Sequence, residues 1–261
     1  MEEGSDRSME SVRGRFQGIR NIILFNYPYY GFVLLILILI IVARGVETNF
    51  VPYFDILAGV LIVLTVTSLL TSYYIYDVSP LYELTAIRNI TLSPNGNIMN
   101  VHAGYDKTSE TLQLIYPSAQ LTVLDFYDPQ VHTERSIRRA RKKYPPYPNT
   151  IRVNTTSLPF KDNQANLILV FLAAHEIRQQ NERVRFFSEL SRVLASDGCI
   201  IVTEHLRDLP NFLAYSIGSF HFFSHSSWLH TFEDAGLNIE EQIKNTPFIR
   251  TFILRKNGYT A

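Results

Sequence analysis

Two long apolar stretches dominate the first third of the chain. One runs from Ile22 to Ala43 and is densest from Phe32 to Val42; the other runs from Ile56 to Ile75. Each has the roughly 20 residues that cross a bilayer as a helix. Helix is the form such a segment takes, because it pairs its backbone polar groups internally. Pro28 falls in the first turns of the first stretch, where its missing donor does little harm. Asn26 and Asp55 sit at the edges, so the spans read as an anchor, not as a channel or transporter. Tyr27, Tyr29 and Tyr30 open the first span, and Tyr73, Tyr74 and Tyr76 close the second. A hairpin places both clusters at one bilayer face, where amphipathic rings prefer to lie. Arg7, Arg13, Arg15 and Arg20 precede the hairpin, while the connection holds only Arg44. Basic residues favour the cytoplasmic side, so the tail (1–20) and the large domain are expected there, on an integral membrane protein. The alternative, a signal peptide followed by a buried helix, fits poorly. The first span starts late, is long, and lacks a small-residue cleavage site.

Beyond the hairpin (21–77) the pattern changes. Residues 78–96 read as a linker, with Pro80 and a turn at Ser93-Pro94-Asn95-Gly96-Asn97. Short apolar runs then alternate with segments of helical spacing over 97–261. The spacing predicts strands at Ile98–His102, Leu121–Asp125, Thr150–Val153, Ala165–Phe171 and Cys199–Val202. Between them lie helices from Asp106 to Ile115 and from Arg135 to Lys143, and a longer one whose stripe is Ile177, Val184, Phe187, Leu190, Val193 and Leu194. Ser227–Ala235 reads as a further helix stopped by Gly236. Two last strands, Leu237–Ile243 and Phe248–Leu254, have only Lys244-Asn245-Thr246-Pro247 between them. A parallel crossover needs a dozen or more residues, so this pair is antiparallel. The expected fold is α/β: a doubly wound, mostly parallel sheet with a C-terminal antiparallel pair, behind a two-helix transmembrane hairpin.

Charge narrows the function. The 261 residues carry 24 basic and 24 acidic side chains, a balance that argues against a nucleic-acid partner. Cys199 is the single cysteine, which excludes an intrachain disulfide and a cysteine zinc site within one chain. Asn89-Ile90-Thr91 and Asn154-Thr155-Thr156 match the glycosylation pattern, which matters only in a secretory lumen.

Ligands of open parallel sheets bind at the carboxyl ends of the strands. The candidates are therefore His102 to Asp106, Asp125, Asn154 to Thr156, and Phe171 to His175. Asp125 can accept the hydroxyl hydrogens of a ribose, or serve as a turn or cap aspartate. Gly104 allows close backbone approach to a ligand, or makes a plain turn. Asn154 can read a base edge, or its own turn. Leu158-Pro159-Phe160 packs under an adenine or closes the core. A multi-glycine phosphate fingerprint is missing, which counts against nicotinamide or flavin.

Three segments carry a resemblance: Leu158 to Asn163 with Ala165 to Phe171, Phe187 to Gly198, and Phe232 to Leu237. In order and spacing they resemble class I S-adenosylmethionine-dependent methyltransferases of the group that includes ubiquinone and menaquinone C-methyltransferases. The likeness covers about Asn97 to Lys256. It implies S-adenosylmethionine as cofactor, with Asn100, Gly104, Asp125, Asn154 and Phe171 around it. The first loop departs from the family: Asn100 stands where an acid is usual, and His102 and Asp106 replace glycines. The resemblance further implies transfer of a sulfonium methyl to an aligned acceptor, with a base needed only if the acceptor must lose a proton.

His175, His205 and His221 are candidates for that base, and Arg207 for orienting an anionic acceptor. No metal ligands are expected: His221, His225 and His230 have helix-like offsets, but no compact zinc motif or HExxH occurs. An anchored hydrolase lacks its G-x-S-x-G elbow. The aromatic stretch from Phe212 to Phe223 lines a pocket for a hydrophobic or quinone-like substrate from the lipid bilayer, or packs an inserted helix. The basic run from Arg135 to Lys143 touches anionic headgroups or is simply solvated. The competing function is a methyltransferase-fold sensing or protein-interaction module without turnover.

Overall fold

The computed structural model describes residues 13–258 except Asn89, Pro94 and Thr133; Arg7 and parts of the 89–91 sequon and the 93–97 turn therefore lie outside the described residues. The chain opens with a short helix, α1 (Gln17–Phe25), followed by two long apolar helices, α2 (Tyr27–Val46) and α3 (Val51–Tyr73). Both long helices have the length and composition to cross a membrane. Their side chains, such as Phe32, Leu39, Ile41, Ile56 and Val63, are exposed, so they find no cover within the protein. An apolar surface of this extent calls for another apolar phase.

The first long apolar helix begins at Tyr27, not at Ile22 as hydropathy alone suggests. Asn26 leaves helical geometry (φ −115°, ψ 19°), and its side chain donates to the Ile22 carbonyl. Pro28, at the first turn of α2, cannot donate back into α1 and so cannot continue it. The freed α1 docks on the soluble domain instead. Phe25 is buried edge-on against the rings of Tyr105 and Tyr144. Asn21 donates to the Tyr105 hydroxyl (3.1 Å) and accepts from that of Tyr144 (2.8 Å). Asp77, just past α3, accepts the backbone N–H groups of Gly18 and Ile19, both at 2.7 Å.

A short helix, α4 (Thr85–Arg88), leads into the sheet and buries Ile87. The strands are β1 (Asn97–His102), β2 (Gln120–Asp125), β3 (Ile151–Arg152), β4 (Ala165–Phe171), β5 (Leu194–His205), β6 (Leu237–Thr246) and β7 (Ile249–Lys256). Their order is β3-β2-β1-β4-β5-β7-β6. The first five run parallel, and β7 pairs antiparallel with both β5 and β6. Between strands lie α5 (Ser109–Ile115), α6 (Arg135–Lys143), α7 (Gln180–Val193), α8 (Leu209–Tyr215) and α9 (His225–Asp234). The expected mixed sheet with its antiparallel C-terminal pair is thus observed.

Strand alternation divides the core. Ile168 and Val170 of β4 face Phe186, Phe187, Leu190, Trp228 and Phe232 of α7 and α9. Leu167 and Leu169 face Leu84, Ile87 and Leu112 on the other side. The largest strand-boundary difference from the sequence pattern is at β5, which starts at Leu194, five residues before Cys199. Ala165 pairs with Leu194 across a register shift, so the chain leaves α7 straight into the sheet, ahead of Asp197-Gly198. Ile177 lies outside α7, buried in the turn before it.

Candidate functional site

The carboxyl ends of β1, β2, β4 and β5 form one edge. His102 is in register with Asp125, and Phe171 with Thr203. After β1 the chain turns at Gly104, whose φ of +84° favours glycine. Asn100, 1% exposed, uses its amide on Asp106 Oδ1 (3.1 Å), Thr108 Oγ1 (2.9 Å) and Ser109 Oγ (2.8 Å). Asp106 Oδ1 also accepts the N–H groups of Thr108 and Ser109, at 2.9 and 3.1 Å. Its negative charge therefore sits on the N-terminus of α5, where free donors favour it. His102 Nδ1 accepts the Gly104 N–H (3.1 Å). Its Nε2 is buried with no partner among the described residues, and burial lowers the pKa of the ring.

Asp125 is 3% exposed, and both carboxylate oxygens are engaged. Oδ1 accepts the Tyr127 N–H (2.9 Å), and Oδ2 accepts from Arg141 Nη1 of α6 (2.5 Å). The guanidinium also lies over the Tyr127 ring, 4.7 Å from its centroid. A methyl group placed on Gly104 would come within 2.8 Å of Arg141 Nη1. Arg141 thus fills the space between the glycine turn and the carboxylate. Two more buried polar atoms nearby, the Tyr127 hydroxyl and His132 Nε2, have no partner among the described residues. Buried polar atoms of this kind ordinarily mark a missing water or ligand.

A second cluster forms where β4 and β5 end. His175 Nδ1 lies 2.7 Å from Glu204 Oε2, and its Nε2 lies 3.3 Å from Glu176 Oε1. His221 Nε2 is 3.4 Å from that same Glu176 oxygen. Glu204 is completely buried and accepts the N–H groups of Ala173 (3.1 Å) and His175 (3.3 Å). Burial works against a charged His175, yet the carboxylates of Glu204 and Glu176 overcome it and push the ring up to about 10. The two histidines hold Glu176 far below the usual carboxylate range despite its burial. His205 lies behind this cluster, between the Tyr76 hydroxyl (2.8 Å) and Asn211 Oδ1 (3.1 Å), and stacks on Phe222. Burial lowers its pKa to about 4.

The remaining candidates lie apart from these two centres. Asn154 is exposed, and its carbonyl accepts from the backbone and hydroxyl of Thr156 in a tight turn. Phe171 packs against Tyr82, with ring centroids 5.3 Å apart. Arg207 is exposed, and its backbone N–H pairs with the Phe223 carbonyl. Arg139 of the basic run donates to the Phe25 carbonyl, so this helix braces α1. Sequence reasoning missed Arg141. Its signal was a spacing: Ile137, Ala140 and Arg141 of α6, with Tyr144 just past its end, recur at helical intervals on one face.

The strand order and this edge define the class I S-adenosylmethionine-dependent methyltransferase fold. The profile of the family described as "Methyltransferase domain" matches residues 100–202, from Asn100 to the middle of β5. The chain is similar in structure to the PH0226 protein from Pyrococcus horikoshii OT3 (13% identity, 68% of this chain and 88% of that one, TM-score 0.50). It is also similar to a chain of the Haloferax volcanii complex between the Trm112 methyltransferase activator and a methyltransferase (11% identity, 70% and 91%, TM-score 0.50). A SAM dependent methyltransferase from Aquifex aeolicus aligns at 13% identity over 70% and 92% (TM-score 0.49). No curated protein matches the sequence.

Proposed function

We propose that this chain is a membrane-anchored, S-adenosylmethionine-dependent methyltransferase acting on a small or lipid-like acceptor. The single observation that supports this most is the placement of Asp125. It is a buried carboxylate at the end of β2, beside the Gly104 turn, in a region where buried polar atoms of His102, Tyr127 and His132 have no partner among the described residues. This donor and acceptor set fits an adenosine ribose once the Arg141 guanidinium leaves Oδ2. Arg141 is a quarter exposed on a surface helix, so it can swing out to water. When bound, the cofactor supplies an electrophilic methyl on sulfonium.

The chain's own residues do the rest. Asp125 would hold the ribose, and the Gly104 turn would let the backbone approach. His175 and His221 would face the acceptor. His205 is neutral, hydrogen-bonded on both ring nitrogens and buried, which suits a structural role better than that of a base. Arg207, exposed and outside the cluster, is a weaker candidate for orienting the acceptor. Access from the bilayer follows from α8 and the turn after it. Leu209, Phe212, Leu213, Ile217 and Phe220 are exposed there. This segment packs against α3, and His221 follows it directly. An apolar acceptor leaving the membrane beside α3 would meet His221 first.

The Arg141–Asp125 pair also favours a second reading, a module that binds a ligand without turnover. Calorimetry of the full-length protein in detergent, with S-adenosylmethionine and S-adenosylhomocysteine, tests the first. Micromolar binding of both, lost in Asp125→Asn, is expected. Failure of both to bind wild type and Arg141→Ala alike would end the enzyme reading; binding with no methyl transfer to bilayer lipids or quinones would favour the second.

A further inference from the structure

We propose that His175, Glu176 and His221 form a binding site for a divalent transition-metal ion. The inference goes beyond the methyl-transfer reading and does not depend on it. Among the described residues these side chains bring three ligand atoms within 4.8 Å of one another. Two of the separations, 3.3 Å and 3.4 Å, run from Glu176 Oε1 to the Nε2 atoms of the two histidines. Ligands at about 2.0–2.1 Å from a tetrahedral ion are about 3.3–3.4 Å apart. Small shifts of three side chains would therefore complete the coordination.

The surroundings are those of a built site. A ligating histidine needs its other ring nitrogen held by an acceptor, which fixes both tautomer and orientation. For His175 that acceptor is Glu204, 2.7 Å from Nδ1, completely buried and anchored by two backbone N–H groups. Arg178 Nη1 donates to the backbone carbonyls of both His175 (3.0 Å) and His221 (2.5 Å). One guanidinium thus clamps two ligand segments that are far apart in sequence. Arg183, itself 1% exposed, donates to the Ile177 carbonyl (2.9 Å) and lies over the Phe223 ring. The turns on either side of the cluster are held by this second clamp.

Charge and exposure select the ion. Two imidazoles and one carboxylate favour zinc, iron(II) or cobalt(II) over magnesium or calcium, which prefer oxygen ligands. The Glu176 side chain is 7% exposed and His175 12%, whereas His221 is 36% exposed. The open side therefore faces His221, leaving positions for water or for an oxygen of an acceptor. There the ion would act as a Lewis acid and ease loss of a hydroxyl proton. That use, unlike the binding itself, rests on the methyltransferase reading.

The test is metal binding by the full-length protein in detergent, stripped with chelator, freed of any affinity tag and kept without S-adenosylmethionine. Titration with cobalt(II) should give one equivalent bound, with visible absorption of a four- or five-coordinate ion that zinc abolishes. His221→Ala, at a partly exposed position, and Glu176→Gln should each weaken binding at least 100-fold. Glu204→Gln should weaken it about 10- to 100-fold. Each variant's thermal melt without metal shows whether it is folded. No stoichiometric binding of cobalt or zinc at micromolar concentration would overturn the proposal. So would unchanged binding in folded His221→Ala, which would place the ion elsewhere. Neither result bears on cofactor binding, which calorimetry reads separately.

Discussion

Replacing Arg141 with alanine should make the protein less stable and yet a better binder of S-adenosylmethionine. Asp125 is 3% exposed and keeps only the Tyr127 N–H and the distant His102 once the guanidinium is gone. Removing one partner of a buried ion pair costs about 3–5 kcal/mol when both groups are fully buried. Arg141 is a quarter exposed, so water reaches the vacated space and the cost falls to roughly 2–3 kcal/mol. In a chain of this size that lowers the melting temperature by about 4–12 °C. Binding moves the other way. In the wild type the ribose hydroxyls must first open the charged hydrogen bond, worth about 1.5–3 kcal/mol. The variant skips that step, so its Kd should fall by roughly 10- to 150-fold. Calorimetry in detergent reads this directly. S-adenosylhomocysteine and adenosine should show the same gain, because they share the ribose; methionine should show none. A folded Arg141→Ala variant that binds no better than wild type, or worse, would refute the displacement argument.

Three further outcomes follow from the geometry. Asn100→Asp sets a second carboxylate against Asp106 Oδ1, 3.1 Å from the present amide, and Asp106→Gly removes the cap of α5; the double variant should recover about 1–3 kcal/mol relative to the sum of the singles. Additive melts would show that the two positions are uncoupled. His205 has a pKa lowered from 6.5 to about 4, so the unfolded chain takes up a proton that the folded chain refuses. Stability should therefore fall between about pH 6.5 and 4, by up to roughly 3 kcal/mol from this residue, with His102 acting in the same direction; His205→Gln should flatten the profile. Topology can be read by labelling, because Cys199 is 1% exposed and its thiol is pushed up to about 11 by burial, which makes it a poor nucleophile. A membrane-impermeant maleimide should label Asn181→Cys from the cytoplasmic side and Thr48→Cys only from the other; labelling of both from one side would overturn the hairpin.

The sequence carried the sheet well and the sites poorly, for reasons that lie in range. Strands β1, β2 and β4 are local apolar runs, and their ends fall within a residue of the sequence reading. The β5 boundary failed because residues 194–198 are polar enough to read as a stop, while their pairing with Ala165 is non-local. The first long apolar helix starts at Tyr27 and not at Ile22, because the helix that holds Ile22 to Phe25 packs through Phe25 on Tyr105 and Tyr144, aromatic residues distant in the chain. Asp125 was legible as a carboxylate at a strand end. Its partner Arg141 was hidden in a run of basic residues that looked solvated. His175 and His221 were both visible, but nothing local shows that they share Glu176, because Glu176 and His221 lie 45 residues apart in the chain.

The loop after β1 shows why a departure from a family pattern is not the same as decay. In the resembled family an acid ends the strand and glycines open the loop. Here the acid has moved into the loop as Asp106, and an amide, Asn100, has taken the strand position. The two meet at 3.1 Å, with Asn100 donating and Asp106 accepting. The Asn100 amide would keep the Thr108 and Ser109 hydroxyls as acceptors without Asp106, but Asp106 beside an acid at position 100 would set two carboxylates together. That second change alone, the gain of Asp106, is unfavourable inside a site with 1% exposure at Asn100. Together they satisfy each other and also cap α5 through Thr108 and Ser109. The strand end and the helix start remain tied, with the polarity of the tie reversed. The reversal also turns the charge of Asp106 onto the helix N-terminus, which removes the simplest electrostatic objection to an anionic ligand group beside Gly104. This compensated loop supports the cofactor reading, which then turns on the Arg141 guanidinium that fills the space between Gly104 and Asp125.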